Sequence, residues 1–118
     1  MLVGAHMILY SNDAEADRHF LRDVLGLSGV DAGGGWLIFK LPPSEIALHP
    51  TTEAARQEMY LLCDDITATL ADLTAKGVEI SAPVSEERWG LIAAIKLPGG
   101  SSLPIYQPRH PTAYDLPE

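Results

Sequence analysis

His6 and Glu58 are the side chains of this sequence best placed to share a chemical task, because they occupy equivalent positions in an internal repeat. Each lies in an apolar run, and 52 residues separate them. The same interval separates Asn12-Asp13 from Asp64-Asp65, pairs that each close an apolar run and open a helical pattern. Gly26 and Gly77 follow 51 apart, and Lys40-Leu41-Pro42 returns as Lys96-Leu97-Pro98 56 residues on. Four matches in one order, with a small drift, describe a duplication with loop insertions. An imidazole and a carboxylate aimed into one hollow would form a hydrogen-bonded pair whose protonation responds to burial. Each residue also has a plain structural reading. His6 would then be a core histidine bonded to a neighbour, Glu58 a strand-entry carboxylate facing water, and His49 a turn residue before Pro50.

The elements that must position these residues follow from periodicity. Residues 3–10 read as a strand with His6, Ile8 and Tyr10 on one face. Residues 13–25 carry Ala16, Phe20, Leu21, Val24 and Leu25 at helical spacing, with Asn12 or Asp13 to cap the start and Gly26 to stop the end; His19 falls off the apolar stripe, on the solvent side. Short strands are expected at 27–31, 36–41 and 45–49, with Gly33-Gly34-Gly35 as a turn lacking the spacing of a phosphate-binding loop. The second half repeats the order. Residues 58–63 form a strand with Glu58, Tyr60 and Leu62 on one face, and 66–76 a helix on Ile66, Leu70 and Leu73, between Asp65 and Gly77. Three strands follow at 78–84, 89–96 and 103–107. Pro104 argues for an edge position or a bulge, since proline cannot donate to a ladder. The organisation expected is one domain, with module one at 1–50, module two at 58–108 and a proline-rich tail at 109–118 that is either disordered or draped over a neighbour.

Composition narrows the functional classes. A chain of 118 residues is long enough to fold on its own core without a metal or disulfide. A net charge of −8 and no basic cluster disfavour nucleic acid. The opening run is too short to span a bilayer and has no cleavage-like site, so a soluble, cytoplasmic protein is expected. The single cysteine, Cys63, sits in an apolar run and reads as a buried thiol rather than a nucleophile.

Several local motifs carry a resemblance: Ala5-His6 followed by Asn12-Asp13, the helix end Phe20-Leu21-Arg22-Asp23-Val24-Leu25-Gly26, and Arg88-Trp89-Gly90 ahead of Leu97-Pro98-Gly99-Gly100. With two strand-helix-three-strand modules, the chain resembles the vicinal oxygen chelate superfamily of glyoxalases, bleomycin-resistance proteins and extradiol dioxygenases over residues 5–108. The last motif is usually Asp-Pro-Asp-Gly there, so Leu97 and Gly99 depart from it. The resemblance implies an α+β fold in which two tandem βαβββ modules form an open, curled mixed sheet with helices outside. It further implies a concave ligand face and a homodimer.

In metal-dependent members the first and last strands of each module supply ligands to a divalent ion (Zn, Mn, Fe or Ni), which binds neighbouring substrate oxygens as a Lewis acid. The resemblance places His6 and Glu58 at two of these positions, with Glu58 as ligand or catalytic base. His49 is a third candidate, two residues beyond the family position at Ala47. The fourth position falls on Pro104 or Ile105, neither a ligand, with Tyr106 and Gln107 the nearest polar groups. Tyr10, Tyr60, Arg88, Trp89 and Gln107 complete the expected pocket. Tyr10, Tyr60 and Trp89 are equally readable as core or interface aromatics, and Arg88 as a surface ion-pair residue. Two functions follow: small-molecule binding with metal-assisted lyase, isomerase or dioxygenase chemistry, or metal-free binding and sequestration of the drug-resistance kind.

Overall fold

The computed structural model describes residues 7, 9, 11–33, 37–45, 47, 50, 52–55 and 57–113. The first repeat contributes helix α1 (Ala14–Asp23) and an antiparallel pair, β1 (Gly29–Asp31) with β2 (Leu37–Phe39). The second contributes β3 (Leu61–Leu62), helix α2 (Ile66–Ala75), β4 (Ile80–Glu87), β5 (Gly90–Lys96) and β6 (Ser102–Pro108). These four strands form one mixed sheet in the order β3-β6-β5-β4, parallel only between β3 and β6. Strand, helix and three strands thus recur in module two in the order the periodicity predicts. In module one the expected strand at 3–10 lies mostly outside the described residues. Met7 and Leu9, the two described, are exposed and in no regular element, and the same is true of Ala47 in the expected strand at 45–49.

Both helices obey their sequence signals. The Asp13 carboxylate accepts from the Ala16 N–H at 3.1 Å and the Asp65 carboxylate from the Ala68 N–H at 3.0 Å, each occupying an otherwise orphaned donor of the first turn. Gly26 and Gly77 take φ of +71° and +85° and end the helices in the left-handed region. On α2, Ile66 and Leu73 are buried and Leu70 packs beside them, against Ala93 and Ile95 of β5 and Leu103 and Ile105 of β6. That packing decides the sheet's two faces, since side chains alternate along a strand. The odd-numbered residues of β5 and β6 face the helices; Ile92, Pro104 and Tyr106 face away.

Pro104 departs from expectation. It sits in β6, an interior strand, paired across from Ala94. The Tyr106 carbonyl accepts from the Cys63 N–H at 2.9 Å, so the even-numbered backbone groups of β6 point toward β3. Two residues earlier Pro104 has no N–H to offer on that side, and the β3 ladder is confined to Leu61 and Leu62. Pro83 is accommodated differently: β4 is the sheet's edge and its register shifts between Ala82 and Ser85.

Besides the packing of Phe20 into the shared core, a buried hydrogen bond joins α1 to the second repeat. Asp17 is buried, and its Oδ1 accepts from the Gly99 N–H at 2.7 Å, 82 residues away in the turn between β5 and β6. Its Oδ2 has no partner among the described residues. A Cβ at position 99 would overlap Ser11 Oγ and lie 2.6 Å from Asp17 Oδ2. The departure at Gly99 from the usual Asp-Pro-Asp-Gly turn therefore has a steric reason: the carboxylate of α1 occupies the space a side chain would fill.

Candidate functional site

On the face turned away from the helices, four rings converge. Tyr106 is the centre, buried on β6 beside Ile92 of β5. Tyr60, just ahead of β3, meets it edge-on with centroids 6.0 Å apart, and Trp89, in the turn between β4 and β5, does the same at 5.3 Å. His110, beyond β6, lies tilted over it at 5.7 Å. Edge-to-face pairs of this kind contribute about 0.5–1.5 kcal/mol each beyond their area burial. The Tyr106 hydroxyl donates to the Trp89 carbonyl at 3.0 Å, which fixes the ring's orientation. Burial, and after it the Glu45 carboxylate, push the Tyr106 phenol above its usual pKa, so it stays a donor.

Carboxylates flank the cluster. Glu58 is exposed and accepts from the Tyr60 hydroxyl at 2.5 Å. Glu45, from the loop of the first repeat, lies 3.9 Å from His110 Nε2 on the other side. Tyr60 and Trp89 keep 37% and 41% of their surface open, enough to offer ring faces to a ligand.

Of the residues predicted for the site, Tyr60, Trp89 and Glu58 are brought together. Arg88 is exposed in the turn beside Trp89. Gln107 lies on the opposite face, where its Oε1 accepts from the Ile66 N–H at 2.8 Å and satisfies the first turn of α2. Gln107→Ala is therefore expected to lower stability by about 1 kcal/mol through loss of that bond, without weakening ligand binding; urea unfolding and a binding titration check the two halves. His6, Tyr10 and His49 lie outside the described residues. Glu45 and His110 were not singled out for the site from the sequence, and Tyr106 was named only as a polar group near the fourth ligand position. For Tyr106 a partial signal was present, since it shares strand parity with Pro104, one of the two residues, with Ile105, on which the family ligand position falls. Nothing local marks Glu45 or His110.

Glu58 is the one residue of the expected metal set that is described. Its carboxylate is engaged by Tyr60, and Pro104, on the strand that should supply its counterpart, carries no ligand atom. Among the described residues no group of three His, Cys, Asp or Glu stands close enough to hold a metal ion. Of the two ligand positions expected from the second module, only Glu58 carries a ligand atom. Cys63 is half-buried against the core, and burial, ahead of its other influences, raises its thiol pKa, which keeps it from acting as a thiolate.

The fold has known counterparts. An antibiotic binding protein from Streptomyces sp. CB03234, TnmS3, superposes with a TM-score of 0.67 at 21% identity, over 92% of this chain and 98% of that one. Lactoylglutathione lyase from Agrobacterium tumefaciens does so with a TM-score of 0.61 at 20% identity, over 89% and 92%. A superfamily member from Sphaerobacter thermophilus gives 0.60 at 20% identity, over 90% and 98%. At these identities the likeness is one of fold. No curated protein matches by sequence. A family model does match, over residues 5–105, which takes in both helices, β1 to β5, the first part of β6, and Tyr60 and Trp89. The chain belongs to the glyoxalase/bleomycin resistance protein/dioxygenase superfamily.

Proposed function

We propose that this protein binds and sequesters a small, flat, cationic heteroaromatic molecule on the face formed by Tyr60, Trp89 and Tyr106. The observation that carries this reading is the ring cluster itself, open at Tyr60 and Trp89 and bordered by Glu58 and Glu45. Ring faces present negative charge to a cation, and stacked apolar area supplies most of the affinity. The two carboxylates and a net charge of −8 add a long-range preference for positive ligands. An antibiotic binding protein of the same fold supports the class of function. No metal-assisted step is assigned, because Glu58 is the one ligand-bearing position the second module supplies. Glu58 serves as a charge partner for the ligand, held in place by Tyr60.

Titration with proflavine, followed by tryptophan fluorescence, tests the reading, with the anionic dye 8-anilinonaphthalene-1-sulfonate as comparator. Proflavine is expected to bind more tightly than the anion, and Tyr60→Ala to weaken it about tenfold, the loss of one stacked ring. Equal affinity for both dyes would defeat the charge argument. Stoichiometric zinc or manganese that disappears in His6→Ala and Glu58→Ala would replace this reading with the metal-assisted one.

The homodimer belongs to the same proposal. Val30, Ile38 and Leu41 are exposed on and beside the two-stranded sheet, an apolar surface a second copy would cover. Sedimentation velocity checks it. No helix among the described residues is long and apolar enough to cross a membrane.

A further inference from the structure

Residues 109–113, immediately after β6, fold back over the ring cluster instead of leaving the domain. At one end the Arg109 N–H donates to the Trp89 carbonyl at 2.9 Å, and its guanidinium lies 3.0 Å from Glu86 and 3.4 Å from the Glu87 carbonyl. In the middle the His110 ring covers Tyr106, oriented by Nδ1 donating to the Pro111 carbonyl at 2.8 Å. At the other end the Ala113 N–H donates to Glu45 Oε1 at 2.8 Å, and Glu45 Oε2 faces His110 Nε2 at 3.9 Å. Glu45 belongs to the first repeat and Arg109 follows the last strand of the second, so the segment bridges the two. Its side chain is only 18% exposed, held under the segment it secures.

We propose that residues 109–113 are a strap across the ligand face, latched by Glu45, which must lift before a ligand can reach Tyr106. Three rings contact Tyr106, but Tyr60 and Trp89 are open while Tyr106 is 8% exposed beneath His110. A ligand can thus touch the outer rings with the strap closed and insert against Tyr106 only with it open. Beyond the ring contact of His110, the contacts described above are hydrogen bonds and part-exposed ion pairs, and Pro111 and Ala113 are exposed rather than anchored in the core. Such a segment opens locally without unfolding the sheet. Latch strength then sets how large and how deeply bound a ligand can be.

This purpose rests on the ligand face proposed above; the strap itself is tested without any ligand. Nitration of Tyr106 by tetranitromethane, followed by peptide mass spectrometry, reports its exposure in the full chain, with Tyr60 as internal reference. Glu45→Ala and Arg109→Ala release opposite ends, and each is expected to speed nitration of Tyr106 relative to Tyr60 by about fivefold or more, as expected for release of a local closure. Arg109→Ala leaves the Glu45 carboxylate beside Tyr106, so acceleration in both variants cannot come from the removed charge. Acceleration in Glu45→Ala alone, or in neither, overturns the strap. The same variants are titrated with proflavine. Faster nitration with faster proflavine association supports gating of the ligand face, and faster nitration with unchanged association overturns it. If proflavine binds none of the proteins while nitration responds, the ligand reading fails and the strap over Tyr106 stands.

Discussion

Gly90→Ala is expected to lower stability by about 3 kcal/mol, the upper end of the range for overpacking, and to abolish proflavine binding at concentrations that saturate the parent. Gly90 is buried at the start of β5, opposite Pro108. A Cβ there would overlap the Gln107 carbonyl oxygen and the Tyr106 ring, and come within 3.2 Å of Pro108 Cα. Two of these three neighbours are backbone and cannot swing aside, so β6 must separate from β5 or the ring must leave its place. Moving the ring breaks the Tyr106 hydroxyl bond to the Trp89 carbonyl and disperses the cluster. Urea unfolding reads the stability, and the dye titration, run where the variant is still folded, reads the site. An unfolding midpoint within error of the parent would show that Gly90 is not packed as described.

Asp17→Ala is expected to cost about 2–3 kcal/mol, the worth of a buried hydrogen bond to a charged acceptor plus the stranded Gly99 N–H. Asp17→Asn should stay within about 1 kcal/mol of the parent, because its amide oxygen still accepts from Gly99. The contrast matters more than either value. A helix-propensity effect would favour alanine at position 17 over both aspartate and asparagine, whereas the clasp predicts alanine as the worst of the three. Gly99→Ala attacks the same contact from the turn and should destabilise in parallel, since the added methyl meets Ser11 and Asp17. Thermal unfolding of the three variants separates these accounts.

The helices could be read directly. Their boundaries depend on side chains acting within four residues, an aspartate on the first turn and a glycine past the last, and α2 runs Ile66–Ala75 between Asp65 and Gly77 much as the pattern predicts. Strands β5 and β6 were readable for a related reason, as long apolar runs between turns. Strand β3 was not. Its length depends on what the facing strand can donate, and Pro104 withholds a donor from a segment some 40 residues distant in sequence. The edge position expected for Pro104 failed likewise: a proline's local conformation says nothing of how many strands flank it.

What the sequence by itself determined is the strand-helix-strands order of the second half, the caps and stops of both helices, and the superfamily. These rest on periodicity and short-range hydrogen bonding, whose partners are close along the chain. Hydropathy favours Leu103 and Ile105 over Pro104 and Tyr106 for the buried face of β6; only tertiary structure decided what each face meets, through the seating of α2. That choice sends Gln107 to cap a helix and Tyr106 to the centre of the rings. It likewise brought Glu45 to His110 and Asp17 to Gly99, contacts between groups 65 and 82 residues apart. No local preference encodes such pairs, because they exist only once the two repeats have packed together.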